Sequence, residues 1–173
     1  ANPDCTTPII EIPPGGNFFS TGRAEVDEAF ASDLSIGAFN EIANEIIRRN
    51  RTHGLSVDTL EVIGHTDGLP FRGKGNLDQL LPDVLNGRMG IDRLKPGSNN
   101  DLGLLRALAI KQAWLKFIPD RSEPEQAQLK LIEVRTYSAG QTLPVDPGHF
   151  QAGDPRARRI ELRLTKLHST KLH

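Results

Sequence analysis

At 173 residues, with 37% hydrophobic and 25% charged side chains of nearly balanced sign (21 basic, 22 acidic, net charge −1), the chain has the size and surface of one ordinary globular domain with a sizeable core. The balance does not favour nucleic acid, which calls for a basic face or stripe, and no apolar run approaches the 18 or so residues that cross a bilayer. The single cysteine, Cys5, forms no internal disulfide and is expected to be an inert thiol in a flexible lead over residues 1–8, a stretch without the pattern of a signal peptide or lipid attachment site.

In chain order, "TTPIIEIPPGGNFFSTG" predicts a short strand at 8–12, a Pro-Pro-Gly-Gly turn and an apolar Phe18-Phe19 step. "SIGAFNEIANEIIRRN" predicts a helix: Phe39, Ile42, Ala43, Ile46 and Ile47 recur at i, i+3, i+4, i+7 and i+8, and Arg48 and Arg49 suit its carboxyl end. "VDTLEVIG" (57–64) alternates as a strand inside a sheet. "NNDLGLLRALAIKQAWLKFIP" (99–119) is apolar over a wide arc, opens with Asn residues able to cap, stops at Pro119 and predicts a well-buried helix with Trp114 in the core. "LKLIEVRTYSAG" (129–140) and "RRIELRLTKL" (158–167) alternate and close the sheet. The expectation is α+β: a mixed sheet of about four strands in βαβαββ order with helices on one face, 1–173 forming one domain.

The stretch "GHTDG" (64–68) ends the second strand, where ligands of open sheets gather beyond the carboxyl ends and helix N-termini point donors outward. The helix beginning near Asn99 is the element expected to face it. Asn99 and Arg106 lie two turns apart and project from one side, so a carboxylate, an amide and a guanidinium can converge there. His65 reads as a buried, hydrogen-bonded histidine ordering the loop: no second His or Cys stands at a metal-binding spacing, and His53, His149, His168 and His173 are scattered. No cofactor or metal is expected. "FRGKGN" does not meet the phosphate-loop pattern. Arg158 and Arg159 are expected to brace the sheet edge and loops rather than touch a ligand.

"VIGHTDG", "NNDLGLLRALAIKQAWL", "YSAGQTLPV" and "DPRARRIELRL", in that order, resemble the OmpA-like peptidoglycan-binding domain, whose pattern runs G-H-T-D, N-x-x-L-S-x-x-R-A, a glycine turn and a late N-R-R-V/I-E. "FFSTGRAEV" is similar to a stretch of the same family, its flagellar-stator members included. The resemblance covers most of the chain. It places the family's two ligand-holding residues on Asp67 and Arg106 and its Asn on Asn99, with Thr66 and Leu102 shaping or lining the pocket. In the family this pair grips the ammonium and carboxylate of diaminopimelate in the peptidoglycan stem peptide. A planar guanidinium suits a carboxylate and an Asp accepts from an ammonium, so the chemistry agrees.

The resemblance thus implies a non-enzymatic wall-binding module in a Gram-negative periplasm that tethers a larger envelope protein through a membrane segment outside this chain. A homodimer is one assembly it admits, since stator-type members dimerise. The rivals are a metal-dependent hydrolase using His65 and Asp67 with Asp83 or Asp92, and an assembly module with a degenerate pocket. Gly103 stands where the family has Ser, Ala157 where it has Asn, and residues 69–98 replace a short loop. The apolar residues of that insertion predict short helical turns docked beside the pocket, as a lid or partner surface.

Overall fold

The computed structural model describes residues 9–12, 24–53 and 56–168. The Cys5-bearing lead, the Pro-Pro-Gly-Gly turn and the Phe18-Phe19 step lie outside them. The elements are β1 (Ile9–Ile12), α1 (Glu28–Ile36), α2 (Ala38–His53), β2 (Thr59–His65), α3 (Leu77–Leu85), α4 (Asn99–Phe117), α5 (Glu123–Leu129), β3 (Glu133–Gly140) and β4 (Ile160–Thr165). The four strands form one mixed sheet in the order β1-β4-β2-β3, with β2 parallel to β3 and antiparallel to β4, and β1 antiparallel to β4.

The alternation seen in the sequence decides which face is covered. Leu60 and Val62 of β2 and Ile160, Leu162 and Leu164 of β4 point to one side, where they pack on Phe39, Ile42 and Ile46 of α2 and on Ala107, Ile110, Trp114 and Phe117 of α4. Phe39 meets the Trp114 ring edge-on at 5.5 Å. The α+β class and the helices on one face are as expected.

Two helices were not. A helix at α1 precedes α2, capped by the Asp27 carboxylate on the Phe30 N–H (2.8 Å) and ended at Gly37, whose N–H returns to the Asp33 carbonyl. α5 takes Leu129, the first residue expected of the third strand, a turn follows, and β3 starts only at Glu133. The cap of α4 also differs from expectation: the Ser98 hydroxyl accepts the Asp101 N–H at 3.1 Å, and Asn99 is already the first helical residue.

The wide apolar arc of α4 has two destinations. One side faces the sheet, and Leu105 and Leu108 on another lie under Leu77 and Leu94 of the insertion, with Leu80, Leu81, Val84 and Ile91 around them. The insertion leaves and returns through a narrow stem. Asn76 N–H donates to the Lys95 carbonyl (3.1 Å), Lys95 N–H donates to Asn76 Oδ1 (2.7 Å), and a Cβ on Gly75 would lie 2.7 Å from the Gly97 nitrogen.

Candidate functional site

β2 and α4 meet backbone to backbone. A Cβ on Gly64 would stand 1.9 Å from the Gly103 carbonyl oxygen, and one on Gly103 would stand 2.3 Å from Ser138 Oγ. The space a side chain would need at 103 is therefore held by Ser138 and the Gly64 carbonyl, so Gly103 is the residue that lets the helix seat here. At the end of β2 the pairing with β3 shifts between Gly64 and His65, and Thr66 N–H bonds to the Gly140 carbonyl at 2.9 Å. That shift delivers His65, Thr66 and Asp67 to the rim beside the first turns of α4.

Arg106, one turn beyond Gly103, is 1% exposed and donates from Nη1 to the His65 carbonyl at 3.1 Å. Burial is the largest influence on its guanidinium; the Asp67 charge opposes it and Arg158 adds to it, bringing the pKa down to about 10, so Arg106 stays cationic near neutrality. Asp67 is buried too. Its Oδ2 lies 2.9 Å from Nε of Arg158, its Oδ1 accepts the Leu69 N–H at 3.3 Å, and its carbonyl accepts the Gly153 N–H at 2.8 Å.

Arg158 braces the loop after β2 as the direct ionic partner of Asp67, a pairing the sequence did not specify, and it leaves the short turn Pro155–Ala157, which the Asp154 carboxylate caps through the Arg156 N–H at 2.9 Å. Ala157, buried at the end of this turn, borders the same pocket. Arg159 does brace a loop, reaching the Leu143 carbonyl at 3.4 Å.

The other motif residues divide. Asn99 donates from Nδ2 to the Leu69 carbonyl at 2.9 Å, so it ties the chain leaving the site to α4 and is not a helix cap. Thr66 lines the pocket with Asp67, and its buried hydroxyl has no hydrogen-bond partner among the described residues. Leu102 is buried away from them, in a groove of about 940 Å³ along α4 that also takes in Leu94 and Leu105. That larger groove holds none of the charged motif residues.

The pocket at Thr66 and Asp67 encloses only about 10 Å³, because Gln141 to Asp154 cover it, with Phe150 over Gly68. Of the two roles expected for the insertion, lid or partner surface, the cover is not its α3, which packs on α4; Leu69 is the residue of it that meets the site.

His65 is fully buried, with Nε2 3.0 Å from Oε1 of Glu161. Arg163 and Arg159 hold the same carboxylate at 2.7 and 3.7 Å. Burial above all, and the Arg159 charge next, hold the imidazole below its ordinary pKa and therefore neutral. Its burial is as expected. Asp83 pairs with Arg88, Asp92 borders the groove along α4, and no group of three or more His, Cys, Asp or Glu side chains among the described residues stands close enough to hold a metal. No helix among them is long and apolar enough to cross a membrane.

No family model and no curated protein matches the chain. Solved structures do. A longer form of the periplasmic domain of Helicobacter pylori MotB is 17% identical with a TM-score of 0.53, covering 94% of this chain and 78% of that one. A shorter form is 16% identical with a TM-score of 0.54, covering 94% and 84%. At such identity the likeness is one of fold, and it agrees with the architecture the motifs imply.

Proposed function

We propose that this chain is a non-catalytic peptidoglycan-binding module that holds the diaminopimelate residue of the stem peptide between Asp67 and Arg106, and so anchors a larger envelope protein to the wall in a Gram-negative periplasm. The observation that carries the reading is the convergence of the two motif charges: Asp67 lies just past the end of β2, Arg106 rises from α4, and the Arg106 guanidinium lies under the His65 backbone within the field of the Asp67 carboxylate. The order of the motifs and the shared fold with MotB periplasmic domains support it. In this reading Asn99 and Thr66 set the shape of the loop at Asp67, and Leu102 supports α4 from behind.

A fixed carboxylate beside a buried guanidinium suits a zwitterionic end group, which the diaminopimelate side chain has and lysine lacks. Titration of the purified chain with a diaminopimelate-containing stem peptide should therefore give binding that the lysine-containing peptide does not match. Equal affinity for the two would remove the basis of recognition. The assembly-module reading has one observation in its favour, the small volume of the pocket. It is favoured if neither peptide binds.

A further inference from the structure

We propose that residues 141–154 and Arg158 hold this site in a self-closed state, in which the Arg158 guanidinium occupies on Asp67 the place of the ligand's ammonium, so that binding requires the segment to swing out and Arg158 to let go. The inference rests on the peptidoglycan-binding reading above and concerns how that site is controlled.

Three observations carry it. The first is room: about 10 Å³ beside Thr66 and Asp67 is at most the space of one water molecule, so no amino-acid end group enters the pocket as it stands. The second is charge. One carboxylate, Asp67, already faces two guanidinium groups, Arg106 and Arg158, and the nearby Asp154 is committed to Arg156 at 2.7 Å. A further cation brought beside Asp67 must displace one of the two. Arg106 is 1% exposed and bonded to the His65 carbonyl, whereas the Arg158 side chain is 21% exposed and stands on a loop turn, so Arg158 is the one that gives way.

The third observation is how the cover is attached. It touches the site through the Gly153 N–H on the Asp67 carbonyl (2.8 Å), the Phe150 ring over Gly68 and the side chain of Leu69 against Gly153. Within it Asp146 bridges to His149; at its ends Thr142 N–H donates to the Ala139 carbonyl at 3.0 Å, Arg159 reaches the Leu143 carbonyl at 3.4 Å, and Arg156 joins Asp146 at 3.0 Å to Asp154. Between these ends the segment is an exposed loop held to the site by few contacts, and such a loop opens at low cost compared with the core. Phe150, 56% exposed, is the ring that lies over Gly68 at the rim.

If the open form is about 1–10% populated, closure lowers the apparent affinity about 10- to 100-fold, and loosening the cover recovers part of that. Calorimetric titration of the whole chain with the diaminopimelate-containing stem peptide tests this in wild type, Phe150→Ala, Arg158→Gln and Asp67→Asn, with thermal unfolding as the check on folding. Phe150→Ala and Arg158→Gln should each bind at least about threefold tighter, and adding Asp67→Asn to either should abolish the gain. Weaker binding by Arg158→Gln makes Arg158 a direct ligand contact and overturns the proposal, as does an unchanged affinity in Phe150→Ala. Should Arg158→Gln fail to fold, Phe150→Ala decides alone. Binding that ignores Asp67→Asn in wild type, or no binding in wild type and every variant, fails the underlying reading instead.

Discussion

Arg106 is where two views of one residue part most sharply. On sequence alone an Arg on an amphipathic helix is usually solvated, and its loss costs less than about 0.5 kcal/mol. Here it is buried, donates to the His65 carbonyl and sits in the field of Asp67, so Arg106→Ala should destabilise the chain by about 3 kcal/mol in urea unfolding. A loss near zero would mean the guanidinium is not held as described. Arg106→Lys keeps the charge without the planar fork and should bind stem peptide at least about tenfold more weakly, as a buried charge pair truncated on one side does. His65 sets a pH dependence. Its folded pKa lies below that of the free imidazole, about 6.5, so the unfolded chain takes up the proton first as the pH falls. Stability from this group is whole above about 6.5 and declines below it, by no more than about 1.4 kcal/mol per pH unit. The groups facing it are Glu161, Arg159 and Arg163. His65→Gln should show a smaller stability loss between pH 7 and 5 than wild type; equal losses would assign the effect elsewhere.

The crossing of β2 and α4 is the element-scale contact that positions the site, and it depends on two glycines in van der Waals contact. Gly103→Ser, which restores the residue usual in the resembled family, should destabilise the chain by about 1–3 kcal/mol, since its Cβ meets Ser138 Oγ and the Gly64 carbonyl. Placing it in a Ser138→Ala background should recover part of the loss, and a double-mutant cycle in chemical denaturation reads the coupling. Additive costs would show that Ser138 does not fill that space. The helices read most easily were those with long apolar periods, α2 and α4. α1 escaped because it is short and only Gly37 separates it from α2, and α5 because it is short. Its start was nonetheless written in "SEPE": the Glu125 carboxylate accepts from Ser122 N–H and Oγ at 3.3 and 2.9 Å.

At the scale of the molecule, the insertion is an added layer rather than part of the sheet. None of its residues enters the main core, but Leu77 and Leu94 cover Leu105 and Leu108. Replacing residues 76–95 with a short Gly-Ser linker keeps the Ser98 cap and the Asn99 contact to Leu69. The variant should still unfold cooperatively, with a stability lower by about 3 kcal/mol or more from the two exposed leucines. Loss of cooperativity in a calorimetric scan would make the insertion part of the core.

Periodicity and residue type were enough to read the α+β architecture, the covered face of the sheet, the buried histidine and the order of the motif residues, because burial of alternating or helically spaced side chains is a local property of the chain. The partners of those residues were not. Arg158 lies far along the chain from Asp67, the cover over the pocket comes from residues 141–154 rather than the long insertion, Leu102 turns to the groove, and Ser98 caps α4 in place of Asn99. Each of these depends on where two backbones cross, above all at Gly64 and Gly103, and a charge pair or a cover is decided by distances of a few ångströms that only the packed chain sets.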